Sequence, residues 1–189
     1  MSDIKEDMED FVERARDSRL NARVAIMVAL TATVMAICNI KDGNIVQAMS
    51  QAQAHTNDAW SYFQSKSTKQ SIAANTLEVL KHQKPAADAE LVKLYEDKIA
   101  GYEKEKAEIK KQAEGFAKEY DDINLFDDQF DMTDALLSIA IAMFGITALT
   151  QRKWLFYFAG IISAIGIILG AAAFMKINLH SDFISKILG

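Results

Sequence analysis

The sequence predicts an all-α integral membrane protein with three transmembrane helices and a long extramembrane hairpin of antiparallel, coiled-coil-like helices between the first and second. Three observations lead there. Apolar residues are gathered into charge-free runs, as a bilayer requires of segments that cross it. Proline occurs once, at Pro85, and glycine only eight times, which leaves nearly the whole chain free to be helical. Between the first two runs, apolar residues recur at intervals of three and four with no sustained alternation.

The N-terminal segment, residues 1–21, is expected to be an amphipathic cytoplasmic helix. It carries seven acidic residues, ending with Asp17, and no small-x-small cleavage site followed by a turn appears at Cys38-Asn39-Ile40, so a secretory signal is disfavoured. The first span is assigned to residues 22–40, with Arg23 able to extend its charge to the interface. The second occupies residues 133–151 and is followed by Arg152-Lys153. The third, residues 154–175, is the longest uniformly apolar run and opens on Trp154 and Tyr157, suited to an interfacial aromatic anchor. The tail, residues 176–189, reads as a short interfacial helix. Cys38, the single cysteine, has no disulfide partner in the chain and reads as a small buried hydrophobe.

Orientation follows from the cations. Lys5, Arg14, Arg16, Arg19 and Arg23 precede the first span, Arg152 and Lys153 join the second to the third, and residues 41–132 contain no arginine. This distribution is expected to place the N-terminus in the cytoplasm and the hairpin outside, which in a cell with two membranes is the periplasm.

In the hairpin, residues 41–132, the first arm carries Ile45, Ala48, Ala52, Ala59, Phe63, Ala73, Leu77 and Leu80. A turn is expected near residues 82–87, because Pro85 disfavours helical geometry at Lys84. The second arm carries Tyr95, Ile99, Tyr102, Ile109, Ala113, Phe116, Tyr120 and Ile123 in one heptad frame, interrupted only by Lys106. Arms of about 35–40 residues would reach about 50–60 Å at about 1.5 Å per residue, continuous or nearly so with spans one and two.

Two faces suggest helix packing. Ala22, Ala25, Ala29, Ala32, Ala36 and Asn39 fall at alternating intervals of three and four, within a small-residue stripe from Ala15 to Gly43. Lacking a hydrophobic drive in lipid, helices associate through close approach, which such a face permits. In the third span Gly166 and Gly170 form a G-x-x-x-G pair.

Catalytic and metal-binding signatures are missing. His55, His82 and His180 are scattered without ligand spacing, and no phosphate-cradling loop or nucleophile elbow occurs. The acids Asp121, Asp122, Asp127, Asp128, Asp131 and Asp134 lack calcium-loop spacing and read as helix-start residues before the second span. A net charge of −5 without a basic stripe argues against nucleic acid. The expectation is a protein that is not an enzyme, has no cofactor, and has the bilayer, copies of itself and an unidentified membrane or periplasmic protein as partners. The alternative is a channel whose pore is lined by Thr31, Thr33, Asn39, Ser138, Thr147 or Ser163.

Two stretches, Trp60-Ser61-Tyr62-Phe63-Gln64-Ser65-Lys66-Ser67-Thr68-Lys69 and Phe130-Asp131 through Leu136-Leu137 to Arg152-Lys153-Trp154, together with Asn21, Arg23 and Ala25, resemble a bacterial family, domain-of-unknown-function family 4337. Ser61, Phe63 and Thr68 depart from the commoner residues of the first stretch. The resemblance implies a bacterial membrane protein and transfers no functional residue. The first stretch has its own physical reading: Trp60 and Phe63 are expected to anchor the hairpin or a subunit contact, and alternatively Gln64, Lys66 and Lys69 are candidates for binding an anionic partner.

Overall fold

The computed structural model describes residues 2–83, 88–177 and 179. They form α1 (Ser2–His82), α2 (Ala89–Thr150) and α3 (Lys153–Phe174), so the chain is all-helical. Each of these three helices is long and apolar enough to cross a membrane. The turn expected around Pro85 and nearly all of the tail expected as an interfacial helix lie outside the described residues.

α1 runs without interruption through 81 residues, including Gly43, where a Cβ would meet nothing within 4 Å. α2 is likewise unbroken for 62 residues. The chain divides into two compact units, one of residues 1–46 and 124–189, the other of residues 47–123.

In the first unit the N-terminal part of α1, the C-terminal part of α2 and all of α3 pack together. Val24, Ala140, Phe144 and Ala159 make one buried cluster, flanked by Met27, Val28 and Phe156. Cys38, Phe130 and Ala173 make a second, flanked by Val34 and Ile45. α1 turns Val24, Val28, Thr31, Met35, Cys38, Asp42 and Ile45 inward, all buried or half-buried at alternating intervals of four and three. α2 does the same with Phe130, Asp134, Leu137, Ile141, Phe144 and Ala148. A period of 3.5 keeps a helix facing one partner along its length, whereas an unadjusted 3.6 drifts away.

The polar groups on these faces bond across helices or back to their own turns. Thr31 and Ser163, both buried, share a hydroxyl hydrogen bond of 2.9 Å. Thr133 and Thr147 donate to Gln129 O and Met143 O one turn back. Gln129 is fully buried; its amide nitrogen donates to Leu169 O at 2.9 Å and Ile177 O at 3.3 Å, and its oxygen accepts from Leu179 N at 3.2 Å. One side chain thus ties α2 to the end of α3 and the residues after it. At the other end, α2 passes to α3 through Gln151, in the left-handed region at φ 54, and Arg152. Gln151 Nε2 donates to Asn21 Oδ1 at 2.9 Å, which sets Asn21 beside the α2–α3 connection.

In the second unit the remaining parts of α1 and α2 pack along the same kind of stripe. From α1 come Met49, Ala52, Thr56, Ala59, Phe63, Lys66, Gln70, Ala73 and Leu77; from α2 come Tyr95, Ile99, Tyr102, Lys106, Ile109, Ala113, Phe116 and Tyr120. The pairs across this stripe run in opposite senses: His55 against Phe116, Lys66 with Glu105, Gln70 with Glu103, Lys81 with Glu96. Polar members of the stripe serve one another. Lys106 Nζ donates to Gln70 Oε1 at 2.8 Å and lies 5.3 Å from the Phe63 ring centre. Lys66 pairs with Glu105 at 2.5 Å and lies over Tyr62 and Tyr102.

Candidate functional site

Ala22, Ala25, Ala29, Ala32, Ala36 and Asn39 are all exposed on α1. The inward stripe of that helix is the neighbouring heptad phase, through Val24, Thr31 and Cys38, which leaves the small residues to face outward. Ile26, Leu30 and Ile37, each more than half exposed, flank them as a surface of large apolar side chains.

The glycines of α3 lie differently. Gly166 and Gly170 are buried. A Cβ on Gly166 would come within 2.8 Å of Leu137 Cδ2, and one on Gly170 within 2.9 Å of Thr133 Cγ2 and 3.0 Å of Cys38 Sγ. These glycines therefore set the approach of α3 to α2 and α1 within one chain. A Cβ on Gly160 would meet open space.

The aromatic and basic stretch is divided between two faces. Phe63 and Lys66 point into the inter-helix stripe, where Lys66 is engaged by Glu105 and its ammonium is held above its ordinary range, first by that hydrogen bond and then by Tyr62. Gln64 and Lys69 are exposed, and Trp60 keeps 41% of its surface while packing edge-on against Phe63 at 5.5 Å. A groove of about 620 Å³ lies along this face of α1, lined by Asn57, Trp60, Ser61, Phe63, Gln64 and Ser67.

The acidic cluster needs a correction. α2 starts at Ala89, so Asp121, Asp122, Asp127, Asp128, Asp131 and Asp134 stand far inside the helix and not at its start. The positive end of a helix acts only within its first turn, and so cannot account for them. What the fold does is bring Asp127, Asp131 and Asp134 towards Asp42 of α1. Asp42 Oδ1 and Asp127 Oδ1 are both buried without a hydrogen-bond partner. Two ionised carboxylates cannot donate to each other, so bringing them together disfavours the charged form of each. Burial, then the charges of Asp127 and Asp131, pushes Asp42 up to about 6. Asp127 is also raised, by burial and by Asp131, while its bond from Asp42 pulls the other way. Nothing in the sequence pairs these two acids, because the contact depends on the register of α1 against α2.

No group of three or more His, Cys, Asp or Glu among the described residues is arranged to hold a metal ion. His55 stacks near Phe116 and His82 Nδ1 lies 2.9 Å from Glu78 O, while His180 lies outside the described residues. Of the hydroxyls considered as pore lining, Thr31 and Ser163 bond to each other, Thr33 and Thr147 bond back to Ala29 O and Met143 O, and Ser138 lies 3.9 Å from Met35 Sδ. Gln129 is the residue that sequence reasoning passed over; an isolated glutamine between Asp128 and Phe130 gives no sign of full burial.

A family model described as "Domain of unknown function (DUF4337)" matches residues 20–176. No curated protein and no solved structure matches the chain.

Proposed function

We propose that this chain, which belongs to the DUF4337 family, is a non-enzymatic, homo-oligomeric protein of the bacterial inner membrane that serves as a scaffold or docking assembly. In this reading the three apolar helical segments cross the bilayer and residues 41–132 form an antiparallel coiled-coil hairpin on the periplasmic side.

The observation that carries the reading is the outward face of α1. A spanning helix that turns Ala22, Ala25, Ala29, Ala32 and Ala36 towards lipid forgoes contact area that large side chains would supply. A second helix against that face recovers it, since small residues allow close backbone approach. Exposed Asn39 adds an amide that a partner helix can satisfy. The N-inside orientation is supported by the Asn21–Gln151 bond, which gathers Arg23, Arg152 and Lys153 towards one end of the first unit.

Native mass spectrometry of the full chain in mild detergent is expected to give multiples of 21.0 kDa. A spectrum of monomer alone would end the oligomeric reading. Orientation is tested separately, by labelling introduced cysteines at Ser2 and Lys98 in intact cells; only Lys98→Cys should react with an impermeant reagent.

A further inference from the structure

The small-residue stripe of α1 does not stop at Gly43. In the same heptad phase, α1 continues within the second unit through Gln53, Asn57, Trp60, Gln64, Ser67 and Ser71, which are exposed apart from half-buried Ser67. These residues are not small and apolar; they are amides, hydroxyls and one indole. Four of them line the groove of about 620 Å³. The stripe that α1 uses against α2 is the neighbouring phase, through Ala52, Ala59, Phe63 and Ala73, so among the described residues this face has no partner helix.

We infer that the face of α1 through Asn57, Trp60 and Gln64 is a contact between two copies of this chain, paired in parallel and in register. This rests on the oligomeric reading above and adds its interface outside the spans. Charge selects the occupant. Copies inserted in the same sense present α1 in parallel, so in a symmetric pair each residue of the face meets its own counterpart. A charged residue there would face its like, at a cost that excludes the pairing. No charged residue occupies this phase of α1 from Ala15 to Ala74, while Asp58, Lys66 and Lys69 of the second unit all fall on other phases. A different protein could have matched charge with opposite charge; a second copy cannot. Amides are what a self-facing position tolerates, because each is donor and acceptor at once, and buried asparagine at such positions fixes register.

The test uses the full chain with Cys38→Ala, leaving no native thiol, and one cysteine introduced at a time. Oxidation in membranes should link Asn57→Cys and Gln64→Cys into dimers. Gln51→Cys and Asp58→Cys, both exposed and each one position after a residue of the face, Ser50 and Asn57, should stay monomeric. Seam cysteines that remain unlinked while native mass shows an oligomer would overturn this inference and leave the oligomeric reading standing. Equal linking at all four positions would also overturn it. Monomer alone in the native spectrum would remove both. Independently, Asn57→Lys should abolish cross-linking through Gln64→Cys; unchanged linking would contradict the self-facing geometry.

Discussion

Thr31 and Ser163 hydrogen-bond hydroxyl to hydroxyl at 2.9 Å, although they stand 132 residues apart and both are fully buried. The bond ties α1 to α3 between two side chains that are both out of contact with solvent. Polar contacts between spanning helices have modest net worth, because the separated helices also find partners. A double-mutant cycle with Thr31→Val and Ser163→Ala, read by unfolding in detergent, should give a coupling of about 0.5–1.5 kcal/mol. A coupling of zero would show that the two hydroxyls do not depend on one another.

Gly170 leaves no room for a methyl group. Its Cβ would sit 2.9 Å from Thr133 Cγ2, on a side chain fixed by its bond to Gln129 O, and 3.0 Å from Cys38 Sγ. Gly170→Ala should therefore destabilise by about 1–3 kcal/mol, the range for overpacking a filled core. Thr133→Ser, which deletes the clashing methyl, should restore part of the loss. Gly160→Ala, into open space, should lack that penalty. Melting temperatures of the four proteins in one detergent decide it.

Asp42 should make the protein less stable as pH rises. Its carboxyl is lifted from 3.8 to about 6, so between those values the folded chain binds more protons than the unfolded one. Stability then falls as pH increases through that window and stays low above it. Asp42→Asn, always neutral, should raise the melting temperature at pH 7.5 and change it little at pH 4. A wild-type profile whose dependence on pH is untouched by the substitution would contradict the raised carboxyl of Asp42.

Gln129 should govern the residues that follow α3. Gln129→Leu removes the acceptor of Leu179 N–H and the donor to Ile177 O. The amide of Leu179 should then exchange with deuterium faster, while amides in the middle of α3 keep their protection. Uniform protection in both proteins would show that the tie is dispensable.

The helices long and apolar enough to cross a membrane were legible because a bilayer selects by composition: charge-free residues 24–40 and the run from Trp154 to Met175 identify themselves without knowledge of any partner. The inward residues of the hairpin's second arm, Tyr95 to Ile123 of α2, were legible because charges crowd the other faces and leave one heptad phase. In the first span that contrast disappears. The phase of Ala22 and Ala29 and the phase of Val24 and Thr31 are both uncharged, so sequence alone offers two packing faces and does not say which the chain uses on itself. The pairs Asp42–Asp127 and Thr31–Ser163 were illegible for a related reason. Each depends on how far one long helix slides along another, and a repeat of seven residues satisfies many such registers.

The central claim is that the outward small-residue face of α1 holds copies of the chain together. Native mass spectra of the wild type and of Ala29→Leu, taken in the same mild detergent, test it directly. The wild type should appear at multiples of 21.0 kDa and the variant largely at 21.0 kDa, because leucine keeps the span apolar but prevents close approach. A variant that keeps the wild-type oligomer, or a wild type that is monomeric, would contradict the account.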